Sequence, residues 1–272
     1  MTATPPTDGS DHPRWLVCVA TAFELSQLKR PLQLHRLGKE DTAPVFDGRV
    51  GPHRLSVLQT GFGPARAYHV TVNALKRRSC LGVVSVGLSG GLQPDLPSGA
   101  LVIGDCWTRV GPPGEEGRFD ALRTIGPPAD RRLRTAALRA AGACGLAVHE
   151  GRLATSDCLI GAPEEKRALA ARTGALAVDM ESGAVAEAAL EASVTVVAVR
   201  AVLDPVAEAL IISPEAFLLP DGSTSVWKSG RAVSGRPSQW PGLWGVGRRG
   251  ARAMALLARW LCLLWAQEPA AL

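Results

Sequence analysis

The sequence predicts an α/β fold, a single doubly wound domain whose central mixed sheet is flanked by helices. Apolar runs rich in Val, Leu and Ala recur at strand length without polar alternation, the mark of strands buried on both faces. Helix-length stretches separate them, as crossover connections require. The chain has 272 residues, 46% of them hydrophobic, which is enough to bury a full core. No composition break within 15–205 marks a linker.

Residues 1–14 (MTATPPTDGSDHPR) are polar and Pro-rich and read as a disordered tail. Trp15–Thr21 (WLVCVAT) is the first strand, with a helix from about Glu24. Arg54–Thr60 (RLSVLQT) is the next strand, and TGFGPA turns into a helix that ends at Arg77. Val83–Val86 is a buried strand running into GLSGGL, and Ala100–Ile103 is another. A helix is predicted over Ala129–Cys144 and a strand over Gly151–Ala154. Then come a short helix at Glu164–Arg172, a strand at Leu176–Val178 and a helix at Glu181–Glu191. Thr195–Ala201 (TVVAVRA) is β-branched and uncharged until Arg200. The main folded domain is assigned to 15–210 and a C-terminal extension to 211–272. The Pro/Gly/Ser-rich 205–242 makes a long excursion into a terminal amphipathic helix over Leu243–Gln267.

The formal net charge of +5 owes much to late arginines: Arg231, Arg236, Arg248, Arg249, Arg252 and Arg259. Such a cluster suits an anionic surface, although a solvated helix face produces the same pattern. No nucleic-acid motif accompanies it, so nucleic acid is excluded as a partner. Arg248, Arg252 and Arg259 share a helix face, and Trp260, Leu261, Leu264 and Trp265 cover much of the rest. That fits peripheral membrane contact, or equally a helix docked on the domain or on a partner. The six cysteines form no C-x-x-C pair and no metal-ligand spacing with His. The N-terminus lacks the apolar core of a signal peptide. The expected setting is a reducing cytoplasm, with thiols that are mostly buried filler and no metal or cofactor.

In doubly wound folds ligands sit outside the carboxyl ends of the strands. Glu24 follows the first strand, Glu181 follows VDM, and Asp204 follows VAVRAVL. Each alone reads as an acid in the first turn of a helix, stabilised by the helix dipole. Convergence on one mouth sets the three apart.

Four segments carry a resemblance. VDMESGAVAEAA (178–189), SVGLSGGLQPDLPSGALVIGD (85–105), ATSDCLIG (154–161) and VVAVRAVLDPV resemble, in order, motifs of the purine nucleoside phosphorylase and nucleosidase superfamily. The resemblance covers about 15–210 and is nearest to nucleosidases acting on methylthioadenosine and adenosylhomocysteine. TGFGPARA, LDPVAEALI and RPSQWPGLW resemble the hopanoid-associated members, which act on adenosylhopane. It implies hydrolysis of an N-glycosidic bond, with Glu24 activating the water and Asp204 helping to protonate the purine. It further implies that Glu181 takes the ribose hydroxyls, Met180 packs on the sugar, and Gly90, Leu159 and Ile160 complete the substrate-binding set. The resemblance implies a nucleoside as partner, lipid-linked in this branch, and related nucleosidases are homodimers. The chain departs from the pattern at Leu159, where an aromatic stacks on the base, at Leu88, where a small polar residue is common, at Ser156–Asp157 and at Leu203.

The chemistry fits these roles. Cleaving an N-glycosidic bond passes through an oxocarbenium-like sugar, as in glycoside hydrolysis. The departing base needs a proton, and burial raises the pKa of a carboxyl that must hold one. Gly87-Leu88-Ser89-Gly90-Gly91 also fits the esterase G-x-S-x-G elbow, but two prolines in LQPDLPSG argue against the helix that must follow. Phosphorolysis is the rival reading, with Arg66 as the candidate phosphate-binding residue. Against it, Glu24 beside a phosphate would repel by about 4 kcal/mol per charge pair near 4 Å at an effective dielectric of 20. A nucleoside-binding module without catalysis is the third reading.

Overall fold

A computed structural model describes residues 14–40, 42–114, 118–119, 121–210 and 240–267. Its strands are β1 (Arg14–Val19), β2 (His35–Glu40), β3 (Ala43–Val50), β4 (His53–Gln59), β5 (Cys80–Gly91), β6 (Leu101–Val110), β7 (Leu122–Ile125), β8 (Val148–Ser156), β9 (Ala177–Asp179) and β10 (Val196–Asp204). The helices are α1 (Ala22–Lys29), α2 (Pro64–Arg77), α3 (Arg131–Cys144), α4 (Pro163–Thr173), α5 (Ser182–Glu191) and α6 (Trp240–Gln267).

The sheet is mixed and partly closes on itself. β5 pairs in parallel with β10, which runs antiparallel to β6; β6 and β8 are parallel, as are β8 and β9; β9 returns antiparallel to β5. From β5 the sheet continues outward through β1, β4, β3 and β2, and β7 hangs on β6. β1, β4, β5 and β10 run parallel, so their carboxyl ends share one rim.

Burial on both faces explains the continuous apolar strands. On β1, Trp15, Val17 and Val19 pack with α1, α3 and α6, while Leu16 and Cys18 face α2 and α5. The α/β expectation holds, with three strands added. β2 is largely exposed and β7 is four residues long, so neither shows an apolar run. β3 (APVFDGRV) carries Pro44 and Gly48, which mask its period. β5 also runs to Gly91, through the glycine-rich segment expected to lie beyond the strand.

Of the expected tail, 1–13 lie outside the described residues, but Arg14 opens β1 and pairs with Asp47 at 2.8 Å. Of the excursion, 211–239 lie outside them too, including Arg231 and Arg236. The terminal helix begins at Trp240, three residues ahead of Leu243. Two cysteines, Cys18 and Cys144, are buried; the other four are half-buried, and all six are free. The thiols are therefore less completely buried than expected.

Helix α6 is a structural part of the domain. Trp260 is fully buried and donates its indole N–H to the Ala137 carbonyl at 3.0 Å. Trp265 is buried too, its ring 6.1 Å from that of Trp15. Of the two readings left open for these tryptophans, the docked helix holds: they seat it on α3 and β1. Arg248, Arg252 and Arg259 are exposed on the opposite face, beside Trp244, which is 73% exposed. Among the described residues no helix is long and apolar enough to cross a membrane. Trp260→Ala is expected to destabilise the protein by about 3–5 kcal/mol, the usual cost of emptying a buried tryptophan site. Chemical denaturation checks this, and a loss below about 1 kcal/mol would mean that α6 does not contribute to the core.

Candidate active site

Glu24 follows β1 because Thr21 ends the strand and caps α1. Thr21 Oγ1 accepts from the Glu24 N–H at 3.1 Å, and Glu24 Oε2 accepts from the Thr21 N–H at 2.8 Å, a capping box. The Thr21 hydroxyl also donates to Oε2 at 3.0 Å, and Oε1 accepts from the Leu88 N–H at 2.8 Å. The carboxylate is 4% exposed and held at both oxygens. Gly87 makes this approach possible, because a Cβ there would lie 2.6 Å from Oε1.

Glu181 sits at the N-cap of α5, positioned by its neighbours. Asp179 caps the helix, accepting from the Ser182 N–H at 3.1 Å and from the Thr155 hydroxyl at 2.9 Å, and it forms a buried ion pair with Arg200. The Arg200 guanidinium also donates to Ser85 Oγ at 2.8 Å. Glu181 turns out of this network to accept the Gly63 N–H at 2.9 Å. Gly63 has φ +88°, so glycine is required at the turn that presents this N–H. Burial, then the charges of Asp179 and Glu24, push Glu181 up to about 8 against the Gly63 hydrogen bond and Arg200. Burial therefore favours the protonated form of Glu181 in the free protein at neutral pH.

Asp204 ends β10, where its register partner is Gly90. It is 2% exposed and forms an ion pair with Lys166 of α4, which is itself fully buried. Burial pushes Asp204 up to about 6 even though Lys166 pulls it down. Gly90 lies against this pair, a Cβ there being 3.5 Å from Asp204 Oδ2 and 3.6 Å from Lys166 Cε.

Two of the three acids thus lie along β5. Glu24 is bonded at Leu88 and Asp204 stands beside Gly90, two residues on, roughly 7 Å at the strand rise. The Glu24 charge is felt at Glu181. Met180 and Leu159 are half-buried near this rim, while Ile160 is buried with Leu92, Leu169 and Val178. Leu88 is half-buried, and its Cδ1 lies 3.5 Å from a would-be Cβ on Gly250 of α6. Arg66 directs its guanidinium to Thr42 at 3.0 Å. The strand continues two residues past Ser89, so no nucleophile elbow exists. Ser156 and Asp157 divide their work, Ser156 turning its hydroxyl inward and Asp157 pairing with Arg109 at 3.0 Å.

Three residues of this site escape sequence reasoning: Asp179, Arg200 and Lys166. Lys166 has a visible signal, because it stands in register with the buried Leu169 and Thr173 of α4. A lysine at an apolar-stripe position needs a buried partner.

The sequence profile of the phosphorylase superfamily matches residues 14–217. The chain belongs to the phosphorylase superfamily. A futalosine hydrolase from Streptomyces coelicolor is 34% identical over 199 residues, covering 69% of this chain and 78% of that protein. Among solved structures, the Helicobacter pylori methylthioadenosine nucleosidase mutant with 5′-methylthioadenosine in its active site superposes with a TM-score of 0.69. It is 15% identical and covers 94% of this chain and 100% of its own. The native futalosine hydrolase of the same organism gives 0.69 at 14% identity, covering 94% and 98%. These likenesses confirm the α/β fold of the superfamily, with its mixed sheet flanked by helices. Within the phosphorylase superfamily the chain is a nucleosidase, an N-glycosyl hydrolase.

Proposed function

We propose that this nucleosidase hydrolyses an adenosine-type nucleoside bearing a large apolar group on the ribose 5′ carbon, adenosylhopane in hopanoid biosynthesis, and releases adenine. The observation that carries the reading is the trio of buried acids on one rim, with Glu24 fixed and Asp204 biased toward its protonated form. Each Glu24 oxygen has two acceptor sites, so Oε1 keeps one for a water after taking the Leu88 N–H. Glu24 accepts a proton from that water as its oxygen attacks the ribose C1′. Asp204 gives its proton to the purine as the C1′–N bond breaks. The electron pair leaves with the base as neutral adenine, and the sugar keeps the water's hydroxyl. Glu181 binds the ribose hydroxyls, and its ionised form is favoured when positive charge builds on the sugar. Met180 packs on the sugar, and Gly90, Leu159 and Ile160 surround the base.

The apolar 5′ group rests on three supports. The tail motifs resemble the hopanoid-associated members, Leu88 places aliphatic surface at the rim, and α6 carries an exposed face. That face holds Trp244, Arg248, Arg252 and Arg259, while Phe23, 41% exposed, and Leu88 meet the helix at Gly250 on its inner side. Anionic membrane surface suits this combination, so peripheral contact is part of the proposal. So is a homodimer, which sedimentation would read.

The test is base release without phosphate, comparing adenosine, methylthioadenosine, futalosine and a 5′-alkylated adenosine. Adenine is expected from the alkylated compound fastest, with no phosphate requirement, and the protein is expected to float with anionic vesicles. Release only with added phosphate, with ribose 1-phosphate as co-product, would establish phosphorolysis instead. Preference for the small nucleosides without vesicle binding would remove the lipidic substrate. Tight binding without turnover would leave a binding module.

A further inference from the structure

Lys166 is the most buried charge that the proposed reaction leaves without a task. Its ammonium has three donors. They meet Asp204 Oδ2, the Pro205 carbonyl at 3.1 Å and the Glu208 carbonyl at 2.7 Å, with the Asp204 carbonyl at 3.5 Å. The nitrogen is saturated and cannot turn toward a substrate. Whatever it does for the reaction passes through Asp204.

We infer that Lys166 is a positioning residue: it grips Oδ2 of Asp204 so that the other oxygen faces the base, and it stabilises the carboxylate left when the proton departs. The inference rests on the reading of Asp204 as the acid. Only interactions that strengthen in the transition state accelerate a reaction. An ammonium gains little from a neutral carboxyl and much from the carboxylate that forms beside it, so its attraction grows as the proton moves. Burial alone would hold the proton too tightly for delivery; the lysine opposes burial and restores acid strength. The other charge facing Asp204 is Glu208, on the turn after β10, whose carboxylate pairs with Arg249 of α6 at 3.2 Å. From β5 the glycines Gly90 and Gly91 approach Asp204, and neither brings a charge.

The experiment compares the full-length parent with Lys166→Met in two ways. The first is kinetics without phosphate on the purine nucleoside that the parent cleaves fastest. The second is a carbon-13 NMR titration of the Asp204 carboxyl in the free protein, assigned by its loss in Asp204→Asn. In the parent, kcat/KM is expected to fall as pH rises through about 6, where the acid loses its proton. In Lys166→Met, kcat is expected to drop about 10–100-fold, the effect of one charge-assisted hydrogen bond lost from the transition state, with KM little changed. The Asp204 titration and the alkaline limb should both move up by about 1–3 pH units, because an opposite charge has gone. Lys166→Arg keeps a charge and should hold the titration within about one unit of the parent. An unmoved or lowered titration, an unchanged kcat, or a loss confined to thermal stability would overturn the inference. If the methionine variant does not fold, a shift beyond about one unit in Lys166→Arg overturns it. A parent that releases no base defeats the functional reading instead, and the titration by itself then decides whether Lys166 governs Asp204.

Discussion

Asp204→Asn is expected to lower kcat by about 10²–10⁴-fold, the usual contribution of a general acid, while the protein still folds. The amide keeps the shape of the side chain but has no acidic proton to give. The structure adds a second effect that the sequence does not announce. The fully buried Lys166 loses its counter-charge, and breaking a buried pair from one side typically costs about 3–5 kcal/mol. The carbonyls of Pro205 and Glu208 still hold the ammonium, which places the cost toward the lower end. Turnover assays run beside a denaturation curve separate the two effects. Near-parental turnover in a folded variant would remove Asp204 from the mechanism.

Glu24→Gln is expected to cost about 10²–10⁴-fold in kcat, together with about 1 kcal/mol of stability. Its two oxygens take N–H groups from opposite sides, Thr21 on one and Leu88 on the other. Glutamine offers one oxygen and one NH₂, so one of those donors must face another donor. The water at C1′ also loses the group that accepts its proton. The stability loss is read by thermal denaturation and the catalytic loss by phosphate-free base release. A variant that keeps most of its turnover would show that Glu24 caps the helix and nothing more.

The buried strands and amphipathic helices were legible because a covered sheet leaves a period and a composition in the sequence. The placement of Glu24 and Asp204 was legible because position after a parallel strand translates directly into position on the rim; Glu181 follows β9, which runs antiparallel to β5 and arrives from the other direction. β2 and β7 were not, since an exposed strand and a four-residue strand have no core face to write into the sequence. The supporting charges were hidden for a different reason. Arg200 reads as the end of an apolar strand and Asp179 as part of a motif, and their pairing across 21 residues exists only after folding. The role of Trp260 and Trp265 was ambiguous in sequence, because a tryptophan on an amphipathic helix suits a core and an interface equally well.

The capping box at the start of α1 carries an evolutionary consequence. Glu24 answers to two demands, the helix whose start it caps and the water that it is proposed to activate. A descendant that abandoned catalysis would keep Glu24 for folding alone, just as it would keep the Asp179–Arg200 pair. Met180 is under no such double selection: it is half-buried at the rim, and its proposed task is contact with the sugar. Along a lineage, drift at Met180 while Glu24 stands unchanged would mark the point at which the fold outlived its substrate.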